Sequence, residues 1–156
     1  MRNKRGEGYI PICVTTVILS MLLSVFISFV SAVHVIRQTE RNARIVLDSF
    51  VTTNAIAIYD SIKNGGDDTE APDDTFYILA FSSFNSLDFR DGMLYRDDEN
   101  GTELYRTTVP CVGFVQDKHL KVQSSFVITV PLYFAGVQVT EVTVPITVVS
   151  RWNEKF

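Results

Sequence analysis

Residue types that carry most chemistry are few in this chain and far apart. His34 and His119 are separated by 85 positions, and neither has Cys, Asp or Glu nearby at the spacing of a zinc site. Both are read as structural or surface residues. Cys13 lies near the start of a long apolar run and Cys111 in the polar part of the chain. If that run crosses a membrane, the two thiols stand on different sides and cannot pair within one chain; Cys111 is read as a buried free thiol, with an intermolecular disulfide as the alternative. The run Gly65-Gly66-Asp67-Asp68-Thr69-Glu70-Ala71-Pro72-Asp73-Asp74 concentrates five acids, but it lacks the alternating oxygen ligands and closing glutamate of a calcium loop. It reads as a solvated linker. No GxSxG, HExxH, P-loop or dinucleotide fingerprint is present, so the sequence gives no reading as an enzyme and implies no cofactor or metal.

The elements around these residues are easier to read. The chain has 156 residues, 46% hydrophobic, with a formal net charge of −4, but charge is unevenly placed. Residues 1–36 carry +2, 37–64 carry +1, 65–103 carry −9 and 104–156 carry +2. The acidity is local, and no basic stripe suggests nucleic-acid binding. Arg2, Lys4 and Arg5 precede a stretch from Ile10 to Ile36 without Asp, Glu, Lys or Arg. A helix of that length reaches about 40 Å, enough to cross a hydrocarbon core of about 30 Å with tilt. The small residues Val30-Ser31-Ala32 also allow a cleaved secretory signal, but the roughly 20 apolar residues before them exceed the usual h-region of about 7–15. A retained single-pass anchor is the favoured reading. The basic N-terminus and the polar bulk downstream favour a cytoplasmic N-terminus, despite Arg37, Arg41 and Arg44 beyond the span. Ser20, Ser24 and Ser28 recur every four residues, a small-residue stripe along which a second helix could pack; helical serines bonded to their own backbone are the alternative.

Helical spacing continues through Ala43, Leu47, Phe50 or Val51, Ala55, Ile58 and Ile62, up to a stop at Asn64-Gly65-Gly66. One helix of roughly 50 residues is predicted, with an amphipathic second half. In 76–89, Phe76, Ala80, Phe84 and Leu87 fit one helical face, a strand over Phe76–Phe81 fits nearly as well, and either way these residues are assigned to the core. Asn100-Gly101 predicts a hairpin between 92–96 and 102–106, which repeat Leu-Tyr-Arg. Val122, Phe126, Ile128, Val130 and Leu132 share one parity, as do Val142, Val144, Ile146 and Val148, with a turn at Phe134-Ala135-Gly136 between them. Val137 and Val139 have the opposite parity, so a bulge near Thr140-Glu141 is expected to bring both sets inward. Pro131 and Pro145 belong at edges or irregularities. The predicted fold class is α+β: a leader (1–9), a transmembrane helix (10–36), an amphipathic stem (37–64), an acidic linker (65–75) and a small β-rich head (76–156).

A basic leader ending Lys4-Arg5-Gly6, then Glu7-Gly8-Tyr9, a long apolar helix, and a β-rich end closing on Val148-Val149-Ser150-Arg151-Trp152 resemble the TadE-like pseudopilins of tight-adherence pilus systems in their Gram-positive form. The likeness covers the layout of the whole chain and is specific over residues 4–30. It implies recognition of Lys4, Arg5, Gly6 and Glu7 by a prepilin peptidase, with cleavage after Gly6. It also implies partnership with other pilin-like subunits and a pilus assembly platform, in building a pilus or secretion fibre. Many type IV pilins carry glutamate at the fifth mature position, which here is Pro11. Either Glu7 takes over the neutralising role, or cleavage falls elsewhere, or the chain stays uncleaved outside any fibre. Beside this stands an unrelated single-pass adaptor or receptor whose external β-rich domain binds a ligand.

Overall fold

With no Gly or Pro between Pro11 and Gly65, the chain forms one helix, α1, over Tyr9–Thr53 in the computed structural model, which describes residues 9–55, 74–116, 120–134 and 136–151. At 1.5 Å per residue its 45 residues extend about 67 Å. Pro11 sits in the first turn, where a missing N–H leaves no bond broken. Hydroxyls inside the apolar half bond back to the helix: Thr15 Oγ1 donates to the Pro11 carbonyl at 2.8 Å, Thr16 Oγ1 to Ile12 at 2.9 Å and Ser20 Oγ to Val17 at 2.8 Å. At the other end Asn54 closes the helix, its backbone N–H and its Nδ2 both donating to the Phe50 carbonyl. The expected stop at Asn64-Gly65-Gly66, the stem beyond residue 55 and most of the acidic run lie outside the described residues.

The second helix, α2, is Asp74–Asn85, so the expected linker gives way to helix before its last residues. Asp74 in the first turn suits the positive end of the helix dipole. The helical alternative for this segment holds, but on a different face. Tyr77, Phe81 and Asn85 are buried, whereas Phe76 and Phe84 are 53% and 54% exposed. The buried rings explain the choice. Phe50 of α1 meets Tyr77 edge-on at 5.9 Å, Tyr77 stacks on Phe81 at 6.2 Å, and Phe81 meets Phe126 of the sheet at 5.1 Å. Four aromatic residues thus tie both helices to the sheet, each pair worth about 0.5–1.5 kcal/mol beyond its area.

Beyond α2 the described chain forms six antiparallel strands: β1 (Asp88–Arg90), β2 (Met93–Asp97), β3 (Glu103–Thr108), β4 (Cys111–Gln116), β5 (Leu120–Phe134) and β6 (Val137–Arg151). Their order is β1-β2-β3-β5-β4, with β6 paired along the other side of β5. The Asn-Gly hairpin forms as expected. Asp98 Oδ1 accepts N–H bonds from Asn100 and Thr102 at 2.8 Å, and Gly101 takes φ +78°. The repeated Leu-Tyr-Arg arms pair in opposite senses, with Tyr95 opposite Arg106 and Arg96 opposite Tyr105. Strands β1 and β4 carried no expectation, although Asp91-Gly92, with φ 51° and 78°, is a hairpin signal of the same kind.

β5 and β6 run together from Lys121–Arg151 to Phe134–Val137. Val122, Phe126, Ile128 and Val130 are buried, as their parity predicts, and so are Ile146 and Val148. The register shifts where Leu132 pairs Thr140 but Tyr133 pairs Gln138, one residue from the expected bulge. The shift does not bring Val137 and Val139 inward: they are 67% and 66% exposed. No described part of the head covers them. Pro145 lies on the edge strand β6, and Pro131 where β5 has run past its recorded pairs with β3.

Candidate functional site

Every residue of α1 from Tyr9 to Ile27 is exposed, and Ser28 is the first to hydrogen-bond the head. Those 19 residues measure about 28 Å, close to the thickness of a hydrocarbon core. The helix is long and apolar enough to cross a membrane. The charge-free stretch is longer than this bare segment because its last residues belong to the head: Ala32 is buried, and Val35 and Ile36 pack against the core. Composition could not divide the two, since a side chain facing lipid and one facing a protein core are equally apolar. Farther on, Ala43, Val46, Leu47, Phe50 and Val51 are all buried, adding Val46 to the expected stripe.

Of the expected helix-packing residues, Ser20 and Ser24 are exposed on the bare segment. Ser28 is not free. Its hydroxyl lies 3.0 Å from the Ser24 carbonyl and 3.4 Å from that of Tyr133, at the edge of the head. The expected processing residues Lys4, Arg5, Gly6 and Glu7 lie outside the described residues, as does His119. His34 is exposed and makes no hydrogen bond among the described residues. Cys13 and Cys111 are both exposed free thiols, which corrects the expectation of a buried Cys111. It opens the short strand β4, where the start of the strand is left uncovered. Among the described residues no three His, Cys, Asp or Glu side chains gather as a metal site would require.

Two concavities flank α1 where it enters the head. The larger, about 440 Å³, lies between α1 and strands β2, β3 and β5. This is within the range of small-molecule sites. Its polar lining includes Gln38 and Asn42 from α1, Asn85 from α2, Arg96 from β2, Glu103 from β3 and Tyr133 from β5. These groups are held in place. Asn42 Nδ2 donates to Asn85 Oδ1 at 2.9 Å, Asn85 Nδ2 to the Phe81 carbonyl at 2.9 Å, and Arg96 to the Asn85 carbonyl at 2.7 Å. The Tyr133 hydroxyl donates to the Glu103 carbonyl at 3.2 Å. The smaller concavity, about 320 Å³, is an apolar groove between Met21, Leu22 and Val25 of α1 and Leu132, Phe134 and Val139 of the β5–β6 hairpin. No sequence signal pointed to these residues, because several elements contribute one or a few each.

Charge around the cavity is partly paired. Arg106 bonds Glu103 at 2.8 Å and Glu141 at 2.6 Å, tying β3 to β6 across β5. Together with Gln138, which donates to Glu141 at 2.8 Å, Arg106 holds the Glu141 carboxyl below its usual range. Asp98 is likewise lowered, chiefly by the Thr102 N–H. Arg96 has no such partner: among the described residues no carboxylate lies within ion-pair distance of it. Deeper in the head, burial pushes the Tyr77 phenol up, against a smaller opposing effect of the neighbouring Ser124 hydroxyl; the Tyr77 hydroxyl donates to the Ala43 carbonyl at 3.4 Å.

No family model, curated protein or solved structure matches the chain.

Proposed function

We propose that the chain is a membrane-anchored, pilin-like subunit that takes part in assembling a tight-adherence or type IV-like pilus or secretion fibre, rather than an enzyme. The reading is supported above all by the continuity of α1, bare for about one bilayer thickness and then built into the head's core without a break. A subunit that moves from membrane to fibre must exchange lipid for neighbouring helices along its anchor without disturbing its head. A bare segment rigidly continuous with a packed one allows that exchange. In this reading the N-terminus is cytoplasmic, the head lies outside, and Ser20 and Ser24 lie on the helix face that meets other subunits. A prepilin peptidase recognises Lys4, Arg5, Gly6 and Glu7 and releases a chain beginning at Glu7, as the TadE-like resemblance implies.

Intact mass and N-terminal sequencing of membrane-extracted protein test the processing step. A chain beginning at Met1 or Arg2 would remove it. Co-expression with a secretion ATPase, a platform protein and a prepilin peptidase tests assembly, read as disulfide crosslinking of a Ser24→Cys variant. Absence of crosslinked oligomers in that setting argues for the second reading, a single-pass adaptor or receptor with an external binding domain. The observation favouring that reading is the cavity of about 440 Å³ with Arg96, which has no carboxylate partner among the described residues, in its lining.

A further inference from the structure

The apolar groove and the polar cavity are neighbours. Both are bordered by Ser28, Leu132 and Tyr133, so they adjoin along α1 as one trough whose floor is crossed by the 3.4 Å Ser28–Tyr133 hydrogen bond. Toward the N-terminus of α1 its walls are Met21, Leu22, Val25 and Val139; toward the C-terminus they carry Gln38, Asn42 and the half-buried Arg96, which has no carboxylate partner among the described residues. The change from apolar to polar runs in the direction in which a bilayer changes from acyl chain to headgroup. The tip of the β5–β6 hairpin suits the same surroundings: residues 122–140 contain no Asp, Glu, Lys or Arg, and Val137 and Val139 are exposed there.

We infer that this trough holds a membrane phospholipid. One acyl chain lies between α1 and the β5–β6 hairpin, and the anionic headgroup enters the cavity toward Arg96. One leaflet with its headgroups is about 20–22 Å thick, which along α1 corresponds to the distance from Met21 to about Val35 or Ile36. Gln38 and Asn42 come within the next two turns, so a lipid whose headgroup meets Arg96 stands about one to two helical turns higher than its neighbours. Electrostatics favour that position. Among the described residues the half-buried Arg96 guanidinium bonds the Asn85 carbonyl and no carboxylate, while Glu103 in the same lining is paired with Arg106, so a phosphate, which accepts two parallel N–H bonds, stabilises Arg96. The groove, lined by side chains of both α1 and the hairpin, continues the surface of the bare helix that lipid already covers in the membrane-spanning reading. The inference rests on that anchoring alone and not on pilus assembly; carbonate extraction of membranes tests the anchoring separately.

The full chain is reconstituted in vesicles of phosphatidylglycerol and phosphatidylcholine carrying a diazirine in the acyl chain, and labelled peptides are mapped after illumination. Label is expected on both the Met21–Val25 and Leu132–Thr140 segments. Val139→Asp should remove most of it, whereas Phe89→Asp, on exposed β1, should leave it unchanged. Native mass spectrometry of detergent-extracted protein should find a retained phospholipid. Arg96→Gln should lower the preference for phosphatidylglycerol over phosphatidylcholine roughly tenfold, the worth of one charge-assisted hydrogen bond. Should Val139→Asp fail to fold, Thr140→Trp, which fills the groove from its rim, replaces it with the same expectation. The inference is overturned by label confined to other faces of α1, by an unchanged lipid preference in Arg96→Gln, or by crosslinks from the hairpin to α1 of a second copy, which would make that copy the occupant.

Discussion

The head should not fold without the second half of α1. Of the buried apolar side chains, Val46, Leu47, Phe50 and Val51 come from a helix that sequence alone would treat as a stem. Burial of each such side chain is worth about 1.5–3 kcal/mol, so the four together contribute roughly 6–12 kcal/mol. A domain of this size has a total stability of about 5–15 kcal/mol, so losing that contribution removes most or all of it. A fragment of residues 74–156 should therefore lack near-ultraviolet circular dichroism and a cooperative melt, whereas residues 28–156 should show both. Because the shorter fragment also loses residues 54–73, a point substitution isolates the helix. Phe50→Ala in the longer fragment removes a ring 1% exposed that contacts Tyr77, and should cost about 3–5 kcal/mol by denaturant titration. Cooperative unfolding of 74–156, or a cost below about 1 kcal/mol for Phe50→Ala, would refute the account of α1 as part of the core.

Ser24→Leu should lower the crosslinking yield between copies in membranes if helices pack along the exposed serine stripe; an unchanged yield would count against it. Because Arg106 depresses the Glu141 carboxyl, the stability it contributes is fully present above the unfolded carboxylate value and is lost as pH falls through the lower folded value. Glu141→Gln should accordingly flatten the acid limb of the melting temperature against pH, and an unchanged limb would assign the acid sensitivity elsewhere. Gly101→Ala forces a Cβ into a backbone at φ +78° with no atom within 4 Å of it, so strain alone should cost about 1–2 kcal/mol, seen as a lower melting temperature.

Elements set by local pattern were legible in the sequence. A charge-free run, three- and four-residue spacing, one Asn-Gly pair and strict alternation yield α1, the β2–β3 hairpin and the β5–β6 pair. The features that escaped depend on which partner an apolar side chain meets. Tyr77 is buried and Phe76 exposed because the ring of Phe50 stands over one and not the other, and no pattern within α2 records the position of Phe50. The cavity escaped for a related reason. Arg96 reads as a strand-face arginine until β2 is seen beside α1, and Asn85 reads as a helix end until Asn42 and Arg96 are found bonded to it.

If α1 crosses a bilayer as proposed, the position of the hairpin tip beside it limits how that helix can sit there. Counting inward from Ser28 gives a bare helix of about 28 Å, a match to the hydrocarbon core. Yet Val139 and Phe134 stand beside Met21 to Val25, so on that side the protein descends about 10 Å alongside the same segment. Edge strand β6 exposes backbone N–H and C=O groups there, and hydrocarbon leaves such groups without partners. On this reading the two faces of α1 require different depths: full thickness on the open face, and on the hairpin face a headgroup boundary drawn inward toward Met21. A tilt of the helix, or local thinning of the bilayer on the hairpin side, meets both requirements. Filling the groove with Thr140→Trp should then change the depth of the tip as well as the amount of lipid retained.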